Sequence, residues 1–242
     1  GVDVNYVQKE KDTESGFFFI LMGQGHEHVV FSNRAANKKL SPEKKRLNAI
    51  SRAKWVYMTS LSGEWKQVLK NIFSVNGPKI AWNPGHIQLN AGLGVLGKYL
   101  KLTSMLCVNK DEALELVVSD KKYKNKDSGF LNNVNNLLKV LKEWVPGVLV
   151  ITSGQDGADA YDGENFYHQD IIKEKRRVDT TGVGDAFGST FAAGLELFGG
   201  DIEKAMYLGV KNTASVIGEQ GAQNGLLEKK DLPKSLQKKI KA

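Results

Sequence analysis

One cysteine, Cys107, stands in 242 residues. A disulfide within the chain is therefore excluded, and a reducing, cytoplasmic compartment is the expectation. No apolar stretch approaches the length of a membrane span, and no signal-peptide pattern is visible. No internal repeat, low-complexity segment or linker rich in Pro, Gly or Ser divides the chain. Acidic charge is the scarcer sign: 34 Lys and Arg against 27 Asp and Glu leave a net charge of +7. Much of the excess sits in KKYKNK (121–126), KEKRR (173–177) and the tail KKDLPKSLQKKIKA. No nucleic-acid-binding motif accompanies these runs, so they read as solvated surface. Neither nucleic acid nor membrane is expected as a partner.

What is present is an ordinary globular balance, 41% hydrophobic and 25% charged, enough for one large domain with a small appendage. FFFILM (17–22) and HVVFS (28–32) flank a glycine turn and predict a hairpin. An all-apolar run is unusual in a hairpin wet on one face, so it predicts burial against something, such as a second chain. From Ser51 onward, strand-like runs KWVYM, KIAW, SMLCV and VLVIT alternate with helical patterns. Trp65, Leu69, Ile72 and Phe73 share one helical face, as do Phe130, Val134, Leu137, Leu141 and Trp144. ADAY (158–161) and NFYHQ (165–169) predict a second hairpin. Phe187, Phe191, Leu195 and Phe198 form a further stripe, stopped by Gly199 and Gly200, and another helix is expected from Glu203 to about Gly218. The alternation predicts an α/β fold: a mostly parallel sheet flanked by helices, with a small β hairpin near the N-terminus.

The stretch VDTTGVGDAFGS (178–189) sets glycines and a carboxylate at the mouth of a helix. Glycines permit close backbone approach, and a helix start leaves N–H groups unpaired, which suits a phosphate. Asp185 has an ordinary use as a cap for those groups. That use leaves the two glycines and the preceding Asp-Thr-Thr unexplained. A carboxylate beside an anion site repels phosphate unless it has a task there, and the task that fits is accepting a proton from an attacking hydroxyl.

DTTGVGDAFGSTFAAGL resembles the C-terminal signature of the PfkB carbohydrate kinases, the ribokinase-like family, whose usual form is DTTGAGDxF; Val183 departs conservatively. The resemblance implies ATP-dependent phosphorylation of an alcohol on a sugar or nucleoside. Asp185 is then the catalytic base, and Gly182, Val183 and Gly184 form an anion hole. VNKDEA (108–113) is similar to the family's N-x-x-E motif, giving Asn109 on the nucleotide side and Glu112 on Mg²⁺, acting through water. Their position after an apolar strand agrees with ligand binding at the edge of an α/β sheet, and a plain helix cap is the structural alternative. ITSGQDGADAY (151–161) resembles the nucleotide-side turn, matching at Thr152, Gly154 and Gly157; a simple strand-to-hairpin turn is the alternative. Asn212 falls where a helix borders the adenine, although a solvent-facing Asn competes. EQGAQNG (219–225) is similar to the loop closing the nucleotide pocket, so Gly221, with Asp179 and Thr181, is implied in a monovalent cation site such as one for K⁺.

At the front, FFFILMGQGHEHVVFS and NRAANKKLSPE resemble the family's lid and the G-A-N stretch behind it. Ala36 and Asn37 match, and Ala35 replaces the usual Gly. Residues 1–38 are thus expected to form a β lid segment and 39–242 the nucleotide-binding kinase domain, with a homodimer through the lid. GVDVNYV looks like the text that follows the family's opening segment, which carries the sugar-holding aspartate. A fragment or processed product is the expectation, and a non-catalytic nucleotide-binding or interaction module derived from a truncated sugar kinase stays open beside the kinase reading. Asn83 and Pro84 support the register without naming a sugar. Other patterns lead nowhere. GLGVLG (92–97) fits G-x-G-x-x-G but does not follow a strand directly. HEH (26–28) lacks a third ligand, and Ser60 and Ser62 lack a nucleophile elbow.

Overall fold

A computed structural model describes residues 3–22, 28–174 and 176–238, which fall into two compact units. The first comprises Gly1–Val56 with Ser60–Pro78, and the second Tyr57–Thr59 with Lys79–Ala242. The HEH stretch lies outside the described side chains.

In the first unit, β1 (Phe17–Met22) pairs antiparallel with β2 (His28–Asn33), Phe17 opposite Asn33. Successive strand residues face opposite ways, so an all-apolar run puts hydrophobic surface on both faces. Phe17, Phe18, Phe19, Leu21, Val29 and Phe31 are each between 51% and 57% exposed. The expected burial is thus not met by the described chain. A 3₁₀ turn follows at Ala35–Lys39, and Ala35 has φ +31°, a conformation that explains why Gly is usual in its place. After α1 (Lys44–Ile50) and β3 (Trp55–Met58), α2 (Trp65–Phe73) buries Trp65, Val68, Leu69 and Ile72. Val68 replaces the expected Phe73, which is half-buried. Gly63 has φ +63°, and a Cβ there would lie 1.9 Å from the Lys38 carbonyl oxygen.

The second unit runs β4 (Lys79–Trp82), α3 (His86–Leu89), α4 (Gly92–Leu100), β5 (Met105–Asn109), α5 (Lys110–Val118), α6 (Ser128–Asn132), α7 (Val134–Lys142), β6 (Val148–Thr152), β7 (Ala158–Tyr161), β8 (Phe166–Gln169), α8 (Val183–Leu197), α9 (Ile202–Val216) and α10 (Lys234–Gln237). The six-stranded sheet has the order β3-β4-β5-β6-β7-β8. β4, β5 and β6 run parallel, whereas β7 and β8 continue antiparallel. The second hairpin therefore extends the main sheet. Met105, Leu106, Leu149, Val150 and Ile151 are fully buried, as strands covered on both faces must be. GLGVLG lies within α4, preceded by α3, so it has no strand-to-helix turn to hold a dinucleotide. The stripe from Phe130 to Trp144 is two helices. Asn133 adopts φ −85°, ψ 112°, and its side chain accepts from the Asn136 N–H to cap α7. An Asn offers the chain a local bond that competes with helix continuation.

α8 and α9 cross closely. A Cβ on Gly194 would lie 2.8 Å from Ala205 Cα, and one on Gly209 would lie 2.9 Å from the Phe187 ring. The Phe187 and Phe191 rings stack at 6.0 Å on the same helix. Gly194→Val is expected to lower stability by about 1–3 kcal/mol or more through overpacking, read as an earlier midpoint in urea unfolding.

Candidate active site

Gly182 is the residue that starts α8. Its φ of +76° is left-handed, and a Cβ there would lie 2.6 Å from Ala222 Cβ. Both facts demand glycine for the fold alone. Gly184 differs: its φ is ordinary, and a Cβ would meet nothing within 4 Å. A helical glycine facing open space costs about 1 kcal/mol relative to alanine, so no packing need accounts for it. The helical ladder begins with Ala186 N–H to Gly182 O at 2.8 Å, and Val183 N–H makes only a long 3.4 Å contact to Thr180 O. The N–H groups of Gly184 and Asp185 lie ahead of that ladder. Gly184 and Asp185 are exposed, and partial burial raises the Asp185 carboxyl above the ordinary aspartate range.

Asp179 ties this start to a distant loop. Oδ1 accepts from Thr181 N–H at 2.9 Å and Oδ2 from Gly221 N–H at 2.9 Å. Those backbone donors hold the carboxyl below its usual range. Asp179, Thr181 and Gly221 are thereby brought together. Gly221 takes φ +84°.

At the carboxyl edge of the parallel strands, Asn109 on β5 lies in register with Thr152 on β6. Asn109 caps α5: its Oδ1 accepts from Glu112 N–H at 2.8 Å, and Glu112 Oε2 accepts from Asn109 N–H at 2.9 Å. This reciprocal capping box gives both residues a structural use. Burial, then Glu115 and Asp111, push the Glu112 carboxyl up against the backbone bond and His86. Among the described residues no group of three or more His, Cys, Asp or Glu side chains could hold a metal ion. Asn83 locks the same edge, donating from Nδ2 to Cys107 O at 2.7 Å and from N to Met58 O at 2.8 Å.

Beyond β6, Gly154 has φ +60° with open space at its Cβ, whereas a Cβ on Gly157, at φ +81°, would lie 2.2 Å from Gln169 O. Gly154 and Gln155 line a cavity of about 230 Å³ with Ile171, Ile172, Thr180, Val183 and the α9 residues Val210, Thr213, Ala214 and Ile217. Thr152, Gly157 and Asn212 do not line it. Asn212 is 5% exposed, not solvent-facing; it donates to Thr190 Oγ1 at 2.7 Å and accepts from Leu227 N–H at 2.8 Å.

Sequence reasoning missed the apolar wall, whose residues carry no motif, and it missed Glu174 and Arg177, which also line the cavity but lie in or beside a run taken for surface. It missed Tyr57 too. The Tyr57 hydroxyl is buried without a hydrogen-bond partner among the described residues, and a Cβ on Gly188 would lie 2.3 Å from it. Burial, then Cys107 and Asp185, raise the Tyr57 phenol, and burial pushes the Cys107 thiol up to about 12. Both stay neutral beneath Asp185.

A mostly parallel sheet flanked by helices, with a glycine-framed helix start at the rim of an apolar cavity, is the arrangement of the ribokinase fold. Ribokinase from Thermotoga maritima superposes with a TM-score of 0.73 at 20% identity, covering 90% of this chain and 68% of that one. The Methanocaldococcus jannaschii nucleoside kinase, an archaeal member of the ribokinase family, gives 0.68 at 19%, covering 89% and 66%. An ATP-dependent ribose-1-phosphate kinase of Halopiger xanaduensis is 24% identical over 225 residues, 93% of this chain and 69% of that protein. Residues 1–230 match the family described as pfkB family carbohydrate kinase, and the chain belongs to that family. It spans about two thirds of the length of these relatives.

The raised Asp185 carboxyl has a consequence for stability. A folded-state pKa above the unfolded value means that ionising Asp185 opposes folding, fully above the folded pKa and not at all below the unfolded one, about 3.9. Asp185→Asn is expected to raise the melting temperature at pH 7, with the gain vanishing as pH falls through 4. Melting curves across that range check it.

Proposed function

We propose that this chain is an ATP-dependent phosphotransferase acting on an alcohol group of a sugar or nucleoside. The observation that carries this reading is Gly184: a helical glycine with open space where its side chain would stand, next to a carboxyl raised by burial. Asp185 accepts a hydrogen bond from the acceptor hydroxyl and takes its proton late, as the acceptor oxygen bonds to the γ-phosphorus and the bond to the β–γ bridging oxygen breaks. ADP leaves, and Asp185 returns the proton to solvent. The N–H groups around Gly182, Val183 and Gly184 stabilise charge on the phosphoryl group in transit.

The adenosine end of ATP occupies the 230 Å³ cavity. That volume lies below the usual ligand-pocket range, roughly 300–1,000 Å³, so the triphosphate extends along the open start of α8. Asn109, Thr152, Gly154, Gly157, Asn212 and Gly221 are the nucleotide-side residues of this reading, with Asn212 acting through its bonds to Thr190 and Leu227. Mg²⁺ takes most of its ligands from phosphate and water and needs one or two carboxylates. Glu112, crowded by Asp111 and Glu115, fits that need through water, and the ion supplies charge neutralisation to the phosphates. Asp179 and Thr181, clustered with Gly221, are the candidates for a monovalent cation such as K⁺. Residues 1–38 serve as the lid segment and 39–242 as the kinase domain. The exposed apolar hairpin pairs two copies, since contiguous exposed apolar surface marks an interface. Cys107, buried and reduced, suits the cytoplasm.

Asp185→Asn is expected to cut turnover by about 10²–10⁴-fold while leaving ATP affinity nearly intact, measured by ADP release across a panel of sugars and nucleosides. Unchanged kcat would remove the base assignment. ATP binding by the native chain without turnover on any acceptor would establish the non-catalytic alternative. Phe19→Asp is expected to convert a dimer to monomer in sedimentation velocity; a native chain that sediments as a monomer would remove the lid pairing.

A further inference from the structure

Two opposite charges share the wall of the cavity. Glu174 and Arg177 line it together with Gly154, Thr180 and Val183. Arg177 donates from Nε to Glu174 Oε1 at 2.8 Å, and Nη2 lies 2.7 Å from the same oxygen. The carboxylate is the more enclosed partner, its side chain 14% exposed against 42% for Arg177. The adjacent Arg176 is engaged elsewhere, donating from Nε to Gly218 O at 3.0 Å and pairing with Glu219 at 3.2 Å. Arg177 is therefore the basic side chain that reaches this cavity among the described residues.

In the nucleotide reading the cavity takes the adenosine end, and its rim at Thr180 and Val183 meets the path of the triphosphate, so a carboxylate on that wall opposes the phosphates unless a cation offsets it. A guanidinium carries five N–H donors in a planar fork suited to phosphate, and two of Arg177's nitrogens already meet one carboxylate oxygen, which leaves donors over. We propose that Arg177 is a further phosphate-binding residue for the nucleotide and that Glu174 attenuates it, sharing the guanidinium with the ligand and setting how tightly the polyanion is held. The proposal rests on the nucleotide reading above. The competing account is a purely structural ion pair that only ties Glu174 to Arg177, and it makes the opposite prediction for Glu174.

The test is calorimetric titration of the full chain, without acceptor, using a non-hydrolysable ATP analogue with Mg²⁺ and, separately, adenosine. Arg177→Ala is expected to weaken the ATP analogue about tenfold and adenosine by less than twofold. Glu174→Gln is expected to tighten the analogue severalfold, and raising salt should shrink the gap between the two variants. Arg177→Lys, which keeps the charge and loses the fork, is expected to fall between native and Arg177→Ala, and it serves if the alanine variant does not fold. Equal losses on both ligands, or weakening by Glu174→Gln, would overturn the proposal and leave the nucleotide reading standing. A native chain that binds neither ligand would overturn the nucleotide reading and this inference with it.

Discussion

The left-handed turn at Gly182 is the constraint on which the rest of the site depends. Its φ of +76° and its 2.6 Å allowance against Ala222 let the chain enter α8 abruptly, with backbone donors ahead of the first ladder bond. Asp179 holds that turn from outside by accepting from Thr181 and Gly221. One carboxylate thus joins two segments 42 residues apart and stays ionised because both oxygens are occupied by N–H groups. The close α8–α9 crossing at Gly194 and Gly209 then fixes the direction in which α8 leaves the turn.

Asp185 is set by two effects of opposite sign. It is the third residue after the helix-starting Gly182, where the helix dipole favours the ionised form. Burial favours the neutral form, and burial prevails, since the carboxyl is raised. Asp179, six residues earlier, goes the other way because backbone donors dominate there. Two aspartates in one short segment are therefore driven apart: backbone donors favour the charged form of Asp179, and burial favours the protonated form of Asp185. Tyr57 and Cys107, raised and neutral, add no charge beneath it.

The local parts of this arrangement were legible in the sequence, because glycine, a carboxylate and a helix start carry their chemistry in adjacent positions. The strands were legible for a similar reason: fully buried parallel strands read as continuous apolar runs, as MLCV and VLVIT do. The parts that escaped depend on tertiary context. Asn212 reads as a surface residue until Thr190 and Leu227 arrive from other segments to satisfy it. The helix stripe from Phe130 to Trp144 keeps its period across Asn133, where a side-chain cap breaks the backbone without disturbing the hydrophobic pattern. Arg177 belongs to a basic run, and only the path of the chain beside α9, where Val178 N–H reaches Ile217 O at 2.8 Å, brings this one arginine to a cavity.

The glycines divide by cause, and the division shows where packing stops explaining this sequence. Gly63, Gly157 and Gly182 have both a left-handed φ and a backbone or side-chain atom within 2.6 Å of the missing Cβ, so the fold alone demands them. Gly188 and Gly194 have ordinary φ and a crowded Cβ position, which packing also covers. Gly154 has the conformation without the crowding, and a turn accounts for it. Gly184 has neither. Gly94 in α4 shares that combination, so an uncrowded helical glycine does not by itself mark a site; what sets Gly184 apart is its place ahead of the first ladder bond of α8, where its N–H can donate to an electron-rich partner. The adjoining Asp185 carboxylate repels such a partner, and under the kinase reading its task is to receive a proton at that point.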